Sequence, residues 1–505
     1  MKKNLYLNLF FIVTIGILGF IVNKVFSDTM GPETLGLMRL FTQMVAYLNL
    51  ADLGIGASST YALYKPLANN DMNRVSIIIS TIDSFYKRIS IIILVIGCGV
   101  SLLLPKLINA NSYGNYIYVF WILYVINTAL SYTFAKYSIL LTADQKYGFV
   151  RTIQGSSRVI VSIVQLLVLI YTQSFLLFTI LMIGQNIYNF YFFNRKFKKE
   201  YKEVKKVTER EGQIIKDMKN LFWHSVGGLI VFNTDFILLS KFTNLETIAV
   251  YSSYLIVYQM VLTIIGILTP VLTPKIGNFI AKHNKLEIFK LWERLHLLYM
   301  VAGTIIVTVT VYLLNPFVDL WMGEKYILPI LTVSLLLINL FFQITRAMIE
   351  VFKTNSGLYD DIYNPILESI INLVVSLILV QKIGLNGVII GTISSNIIVI
   401  YILKPLITFI RCFDKGVKDY IIIYTKYLVL VGITIYISNY SIDYLNLVGN
   451  INSWIDWIFT AIKVTVVVGI ITGMVFIVDE VFRREVKIIF SNINNNNNNN
   501  HFINK

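Results

Sequence analysis

The sequence predicts an all-α polytopic membrane protein with about fourteen transmembrane helices. Hydrophobic residues make up 56% of the 505 positions and charged residues only 14%, whereas soluble domains carry about 25% charged residues. Apolar runs long enough to cross a hydrocarbon core of about 30 Å recur from one end of the chain to the other. No segment has the composition of a separate soluble domain.

Fourteen apolar segments are long enough to be predicted as helices. In chain order they cover residues 5–26, 36–63, 76–104, 116–142, 149–171, 175–194, 220–241, 247–272, 295–315, 327–353, 363–381, 386–408, 420–440 and 458–479. They are numbered below from the first to the fourteenth predicted helix.

Basic residues are concentrated in every second connecting segment. If the N-terminus is cytoplasmic, the Lys/Arg-rich segments 65–74, 195–219, 274–294 and 411–420 all lie on the same side. Lys and Arg are retained on the cytoplasmic side of a membrane, so both termini are predicted to be cytoplasmic. The net charge of +15 is explained by these loops, and no nucleic-acid partner is expected.

The charged segment 195–219 divides the chain into two related parts. SDTMGPETLGL at 27–37 is similar to SKFTNLETIAV at 240–250, which favours a repeat. We therefore predict an N-terminal six-helix lobe (1–194), a cytoplasmic linker (195–219) and a C-terminal six-helix lobe (220–408). Since each lobe has an even number of helices, a pseudo-two-fold axis along the membrane normal would relate them. Two additional helices (409–490) and a disordered Asn-rich tail (491–505) follow.

The sequence lacks the usual signs of a metal, disulfide or catalytic centre. Its two cysteines, Cys98 and Cys412, are far apart, and its four histidines lack metal-ligand spacing. No phosphate-binding glycine loop and no nucleophile–base arrangement is present. We expect no enzymatic activity and no cofactor, apart from a coupling proton or sodium ion.

Polar residues recur on single faces of the predicted helices. The fifth helix carries Arg151, Gly155, Arg158, Ser162 and Gln165 at helical spacing. Comparable stripes occur on four other helices: Thr42, Asn49, Asp52, Gly56 and Ser59 on the second; Ser80, Asp83, Ser84, Lys87 and Arg88 on the third; Asn339, Gln343, Arg346, Glu350 and Lys353 on the tenth; Asp361, Asn364, Glu368 and Asn372 on the eleventh. The seventh helix aligns His224, Gly228 and Asp235.

These stripes predict a polar cavity between the two lobes. A charge that faces lipid costs roughly 2.5–3.5 kcal/mol on insertion scales, so helices with several charges on one face should turn that face toward protein or water. Arg158, Arg346, Glu368 and Asp52 lie deepest in their predicted helices. Two alternatives remain open: cations near helix ends, such as Arg39, snorkel to the interface, and Asp83 with Lys87 forms a purely structural pair.

Several segments resemble the polysaccharide transporter and oligosaccharide flippase family of the multidrug/oligosaccharidyl-lipid/polysaccharide (MOP) exporter superfamily. The resemblance is carried by MGPETLGLMRL and ADLGIGASSTYALYKPLA in the first half. In the second half it is carried by NTDFILLSKFTNLETIAVYSSY and QKIGLNGVIIGTISSNII. It covers roughly residues 5–408, and the last two helices fit members with fourteen spans.

The resemblance implies alternating access by two six-helix lobes in a bacterial cytoplasmic membrane. The implied cargo is an oligosaccharide on a polyprenyl diphosphate carrier, with surface-polysaccharide assembly proteins as further partners. Family members hold the anionic headgroup with cations that line the cavity. The candidates here are Arg158, Arg346, Lys87, Arg88 and Arg39. The candidates for glycan contact or ion coupling are Asp52, Asn49, Asp235, Asn339, Gln343, Glu350 and Glu368.

Two other functions compete with this interpretation. A drug or metabolite exporter of the same superfamily would share the fold, but deep arginines would repel a cationic cargo. A membrane glycosyltransferase or polymerase needs a sizeable external loop, and the external loops predicted here are short.

Overall fold

The protein is a helical, multi-pass membrane protein. The computed structural model describes residues 2–48, 55–108, 113–212, 234–267, 269–358 and 363–488, and these contain no β-strand. Within these ranges, twelve helices are long and apolar enough to cross a membrane. The predicted fold class is therefore confirmed. The first predicted helix and residues 36–48 of the second run together in one element, whereas residues 55–63 of the second belong to a separate helix. Most of the seventh predicted helix lies in 213–233, outside the described residues.

Nine α-helices occupy the described residues up to Phe242. They are α1 (Lys2–Leu48), α2 (Ile55–Ala68), α3 (Met72–Ser101), α4 (Leu104–Leu107), α5 (Tyr116–Ser131), α6 (Ala135–Ala143), α7 (Tyr147–Thr172), α8 (Phe175–Glu200) and α9 (Thr234–Phe242). A single 3₁₀ turn, Tyr132–Phe134, joins α5 to α6.

The remaining described helices continue to the C-terminal side. They are α10 (Leu245–Gly266), α11 (Thr269–Lys282), α12 (Lys285–Met322), α13 (Ile330–Thr345), α14 (Ala347–Asn355), α15 (Tyr363–Ile383), α16 (Leu385–Ser395), α17 (Lys404–Arg411), α18 (Val417–Tyr444), α19 (Trp454–Phe476) and α20 (480–488). A π-helical segment, Asn396–Leu403, joins α16 to α17.

The chain forms two compact units, Met1–Ser252 and Ser253–Lys505. In the first unit, α1 packs against α7, α7 against α8, and α3 against α5. In the second unit, α15 packs against α16, and α12 contacts both α13 and α19. The predicted pseudo-two-fold axis and the lobe boundaries at the 195–219 segment remain predictions.

A single glycine breaks α1 where an external loop is expected from the sequence. Gly31 has φ +79° and ψ 166°, and Pro32 follows it. Glycine adopts positive φ without steric cost, and proline suits the first turn of a helix because no donor is lost there. The two predicted helices are therefore joined by a kink rather than by a loop.

Two glycines bring α15 and α16 into close contact. A Cβ atom on Gly391 would lie 2.0 Å from Ser376 Oγ, and one on Gly387 would lie 2.4 Å from the backbone carbon of Leu379. Small residues at helix interfaces allow such approach in membrane proteins. These glycines belong to the QKIGLNGVIIG motif, so the motif has a packing role here.

The two C-terminal spans are joined to the second unit by specific contacts. Trp457 Nε1 donates a hydrogen bond to the Leu313 carbonyl (3.0 Å), and Tyr312 Oη donates to Asn439 Oδ1 (2.7 Å). Val464 and Val468 of α19 are fully buried and form a core cluster with Ile442 of α18. The helices α18 and α19 are thus integral parts of this unit.

Candidate functional site

Two of the predicted cavity residues, Asn49 and Asp52, lie outside the described residues. Their predicted roles stay predictions. The other ten candidates are described, and they lie in several separate environments.

Arg158 on α7 is exposed, and it makes no hydrogen bond or ion pair with the described residues. Successive residues of an α-helix are rotated by about 100°, so Arg158 lies on the face opposite the exposed apolar side chains Ile160, Ile163 and Leu167. The apolar face is the one suited to lipid. The Arg158 side chain therefore points away from the face of α7 that is suited to lipid. The sequence predicts this orientation for a residue that faces a polar space.

Two other members of the α7 stripe pack against neighbouring helices instead. A Cβ atom on Gly155 would lie 2.4 Å from the Phe11 ring of α1. Gln165 is buried, and its Nε2 donates to the Phe178 carbonyl of α8 at 3.2 Å. The stripe thus combines packing positions with exposed arginines, a distinction that helical spacing alone does not make.

Lys87 belongs to a local ion-pair group on α3. Asp83 accepts hydrogen bonds from Lys87 Nζ and from Lys136 Nζ of α6, each at 2.8 Å. This geometry fits the alternative that Asp83 and Lys87 form an ion pair with a purely structural role. Sequence reasoning missed Lys136, because it lies 53 positions from Asp83.

Arg88 lies on the apolar side of α3. It is exposed, and it shares a helix face with Ile91, Ile92 and Val95, which are also exposed. A cation among exposed apolar residues has the arrangement expected for snorkelling to an interface. Arg88 is therefore a weaker candidate than Arg158 for binding the headgroup.

Arg39 is held by the kink in α1. Its Nη2 donates to Asn23 Oδ1, which lies on the other side of Gly31. Its Nε is buried and has no hydrogen-bond partner among the described residues. The guanidinium also lies within electrostatic range of Tyr124 on α5. Arg39 therefore lies inside the helix packing of the first unit, with part of its donor capacity unused.

Asp235 lies on α9. Tyr251 Oη donates to its Oδ2 at 3.4 Å. Tyr47 of α1 lies within electrostatic range. Two tyrosine side chains, Tyr251 and Tyr47, therefore lie near Asp235.

Arg346 lies in a four-residue ion cluster of the second unit. Its guanidinium is 3.7 Å from Glu350 Oε1 and 3.9 Å from Glu368 Oε1, and Lys404 Nζ is 2.5 Å from Glu350 Oε1. The Glu368 and Lys404 side chains are each only 7% exposed, and Arg346 is 20% exposed. The formal charges of these four residues cancel. Lys404 is not among the candidate site residues predicted from the sequence, and the structure adds it to this cluster.

Asn339 is a buried cross-helix bridge. Its Nδ2 donates to the Ile389 carbonyl of α16 (3.4 Å), and its Oδ1 accepts from Asn396 Nδ2 (3.1 Å), the first residue of the π segment. π-helical turns occur frequently at functional sites. Gln343, one turn further along α13, is half-buried and makes no hydrogen bond with the described residues.

The start of the predicted linker is fixed to α3 by backbone hydrogen bonds. We call residues 201–211 the linker strap. The backbone N–H groups of Lys205, Val207 and Glu211 donate to hydroxyl oxygens of α3, each at 3.1 Å. The three acceptors are Ser76, Ser80 and Thr81. Part of the charged linker is thus an ordered element of the first unit.

An ion cluster anchors the beginning of the linker strap. Lys146 Nζ lies 2.6 Å from Asp144 Oδ2, 2.7 Å from Glu200 Oε2 and 3.1 Å from Tyr201 Oη. Burial lowers the pKa of Lys146, but the hydrogen bonds to Asp144, Glu200 and Tyr201 outweigh it and raise that pKa above its usual range. Lys146 therefore stays charged at neutral pH and links the α6–α7 turn to the end of α8.

Removal of the three strap-binding hydroxyls should loosen the linker strap. In the variant Ser76→Ala/Ser80→Ala/Thr81→Val, each lost hydrogen bond is worth about 1 kcal/mol, and local opening becomes more frequent. We expect trypsin to cleave after Lys205 and Lys206 several-fold faster than in the wild type. Limited proteolysis of the detergent-solubilised protein measures this rate.

Ser394→Ala is the matched control for the strap experiment, because among the described residues the Ser394 hydroxyl bonds only to the Ile390 carbonyl of its own helix. Its cleavage rate should equal that of the wild type. An unchanged rate in the triple variant would show that the strap is held by other contacts.

Comparison with solved structures gives three informative matches. Lipid II flippase MurJ in an inward closed conformation has a TM-score of 0.66 and 15% identity, over 93% of this chain and 99% of that chain. An inward-facing multidrug resistance MATE family transporter of the MOP superfamily has a TM-score of 0.59 and 13% identity, over 82% and 95%. A Vibrio cholerae MATE transporter has a TM-score of 0.51 and 14% identity, over 79% and 94%. No protein-family model matches the sequence, and no curated protein matches it.

Proposed function

From the premise that this chain has the fold of MOP-superfamily transporters, we propose that it is a flippase for a polyprenyl-diphosphate-linked oligosaccharide. It moves a surface-polysaccharide repeat unit across a bacterial cytoplasmic membrane by alternating access, with both termini in the cytoplasm. Ion coupling through a proton or sodium is part of the proposal, with Asp52, Asp235, Glu350 and Glu368 as candidate carriers.

The extent of the structural match carries this proposal. Residues before α18 make up about 82% of the chain (416 of 505). The match to the lipid flippase covers 93%, so it must include part of the two C-terminal spans, whereas the match to the MATE family transporter covers 82%. The additional pair is packed into the second unit. This extent of match is the reason for proposing a lipid-linked cargo.

The charges of α7 support an anionic headgroup. Arg158 has no counter-ion among the described residues, and the guanidinium fork binds phosphate through two parallel hydrogen bonds. Arg346 is engaged by Glu350 and Glu368, so a diphosphate would have to compete with carboxylates there. We assign Arg158 as the principal headgroup ligand and Arg39 as a supporting one.

The polar residues that are not engaged in ion pairs suit the glycan. Gln343 carries a half-buried amide group, without a hydrogen-bond partner among the described residues, that can both donate and accept hydrogen bonds, as sugar hydroxyls require. Asn339 has less support, because it is buried and bonded to Ile389 and Asn396. Asn49 remains a candidate for the same role. Assembly proteins for the polymer are the expected protein partners.

Export of an organic cation is the alternative function, and the MATE likeness at a TM-score of 0.59 favours it. Purified protein in liposomes separates the two. We expect transfer of a fluorescent polyprenyl diphosphate oligosaccharide between leaflets to rise well above that of protein-free vesicles, and accumulation of ethidium to stay at background. Ethidium transport without transfer of the lipid-linked glycan would overturn the proposal.

A further inference from the structure

The first unit contains a polar cleft between three helices. It is lined by α2, α6 and α7, and its volume is about 240 Å³. The polar lining consists of Thr60, Ser138, Thr142, Tyr147, Arg151 and Gln154. None of the described lining residues is acidic. The loop between α6 and α7 borders this cleft, and in the proposed topology that loop is cytoplasmic.

Arg151 gives the cleft a positive charge without a counter-ion. Its Nε donates to Tyr147 Oη, and its guanidinium lies 5.0 Å from the centre of the Tyr147 ring. It forms no ion pair with the described residues. The terminal nitrogens of Arg151 are therefore available to an anion, and the Tyr147 hydroxyl proton is free to donate to the same anion.

The hydroxyl groups of the cleft act as hydrogen-bond acceptors. Thr60 Oγ1 donates to the Gly56 carbonyl (2.8 Å), Ser138 Oγ to the Ala135 carbonyl (2.9 Å) and Thr142 Oγ1 to the Ser138 carbonyl (2.7 Å). Each proton is thus used within its own helix. The oxygen lone pairs remain for a ligand, which must supply donors of its own.

The volume limits how much of a ligand the cleft holds. Sites for drug-sized molecules occupy about 300–1,000 Å³, so a cleft of about 240 Å³ takes one sugar ring with its phosphate rather than a whole oligosaccharide. Sugar hydroxyls supply the donors that the three hydroxyl oxygens lack. A phosphate supplies a counter-ion for Arg151, which has none among the described residues.

We propose that this cleft binds a phosphorylated carbohydrate, with Arg151 and Tyr147 on the phosphate and Thr60, Ser138, Thr142 and Gln154 on the sugar. The inference rests on the proposed function, for which the cleft is a cytoplasmic loading subsite distinct from Arg158. The phosphate belongs to a lipid headgroup or to a soluble sugar phosphate, and the binding test separates these sources.

The test measures binding to the full chain in detergent with three probes: a short-chain polyprenyl diphosphate disaccharide, the soluble disaccharide diphosphate and the uncharged disaccharide. For Arg151→Gln we expect at least a ten-fold weaker affinity for a diphosphate probe and little change for the uncharged sugar. For Thr142→Val we expect weaker affinity for all three, because an acceptor is lost. Tighter binding of the lipid probe by the wild type identifies a lipid headgroup as the source of the phosphate, and tighter binding of the soluble diphosphate identifies a soluble ligand.

Lys205→Gln is the control, because Lys205 is an exposed cation that does not line the cleft. Unchanged affinity in Arg151→Gln, or an equal loss in Lys205→Gln, would overturn the inference. Leaflet transfer by the wild-type protein is measured in parallel. If the wild type transfers the lipid and Arg151→Gln binds the probes normally, only the inference about the cleft is rejected. If the wild type does not transfer the lipid, the proposed flippase function is rejected.

Discussion

Replacement of Arg158 with Ala is expected to reduce transfer of a lipid-linked oligosaccharide by about 10- to 100-fold. A hydrogen bond to a charged group is worth about 1.5–3 kcal/mol, and each 1.4 kcal/mol corresponds to a factor of ten. Arg158 has no partner among the described residues, so its loss should leave the melting temperature unchanged. Leaflet transfer in liposomes and thermal unfolding in detergent measure the two effects.

Arg158→Lys should fall between the wild type and Arg158→Ala, since it keeps the charge but loses the planar fork. Lys382→Ala is the matched control, because Lys382 is an exposed cation near the end of α15, and it should transport normally. Normal transfer by Arg158→Ala would exclude Arg158 as the headgroup ligand.

Replacement of Arg346 with Leu is expected to destabilise the protein by up to about 3 kcal/mol. The Glu368 carboxylate is only 7% exposed and pairs with Arg346 at 3.9 Å, and breaking a buried pair leaves an uncompensated charge. The melting temperature should fall by several degrees. The double variant Arg346→Leu/Glu368→Leu should recover most of this loss, because both charges are removed together.

Arg158→Leu is the control for Arg346→Leu, because it makes the same substitution at an arginine without a counter-ion among the described residues. The melting temperature of Arg158→Leu should equal that of the wild type. If the double variant were as unstable as the sum of its single variants, Arg346 and Glu368 would not be coupled. The ion pair between Glu350 and Lys404 is retained in all of these variants, so Glu350 is never left without a counter-ion.

Hydropathy located the spans well because it reports the part of a helix that crosses the membrane. The fifth predicted helix (149–171) corresponds to α7, which runs from Tyr147 to Thr172. The ninth (295–315) is only the centre of α12, which runs from Lys285 to Met322. At 1.5 Å per residue α12 is about 57 Å long, and its capped, charged first turns extend beyond the apolar stretch that the sequence marks.

Side-chain partners were much harder to predict than spans. Arg158 and Arg346 have equivalent positions in their predicted stripes, yet one has no counter-ion among the described residues and the other is paired with two carboxylates. The partner Glu368 lies on another helix, and spacing within one helix carries no information about it. The same limit hid Lys136, whose partner Asp83 lies 53 positions away.

The π segment Asn396–Leu403 immediately precedes Lys404. Its hydrogen bonds close one residue later than those of an α-helix, so it winds more residues into each turn. Rewinding this stretch as an α-helix would keep it helical and would turn Lys404 about the helix axis relative to Glu350. The helical pitch of this segment thus sets the direction in which Lys404 approaches Glu350.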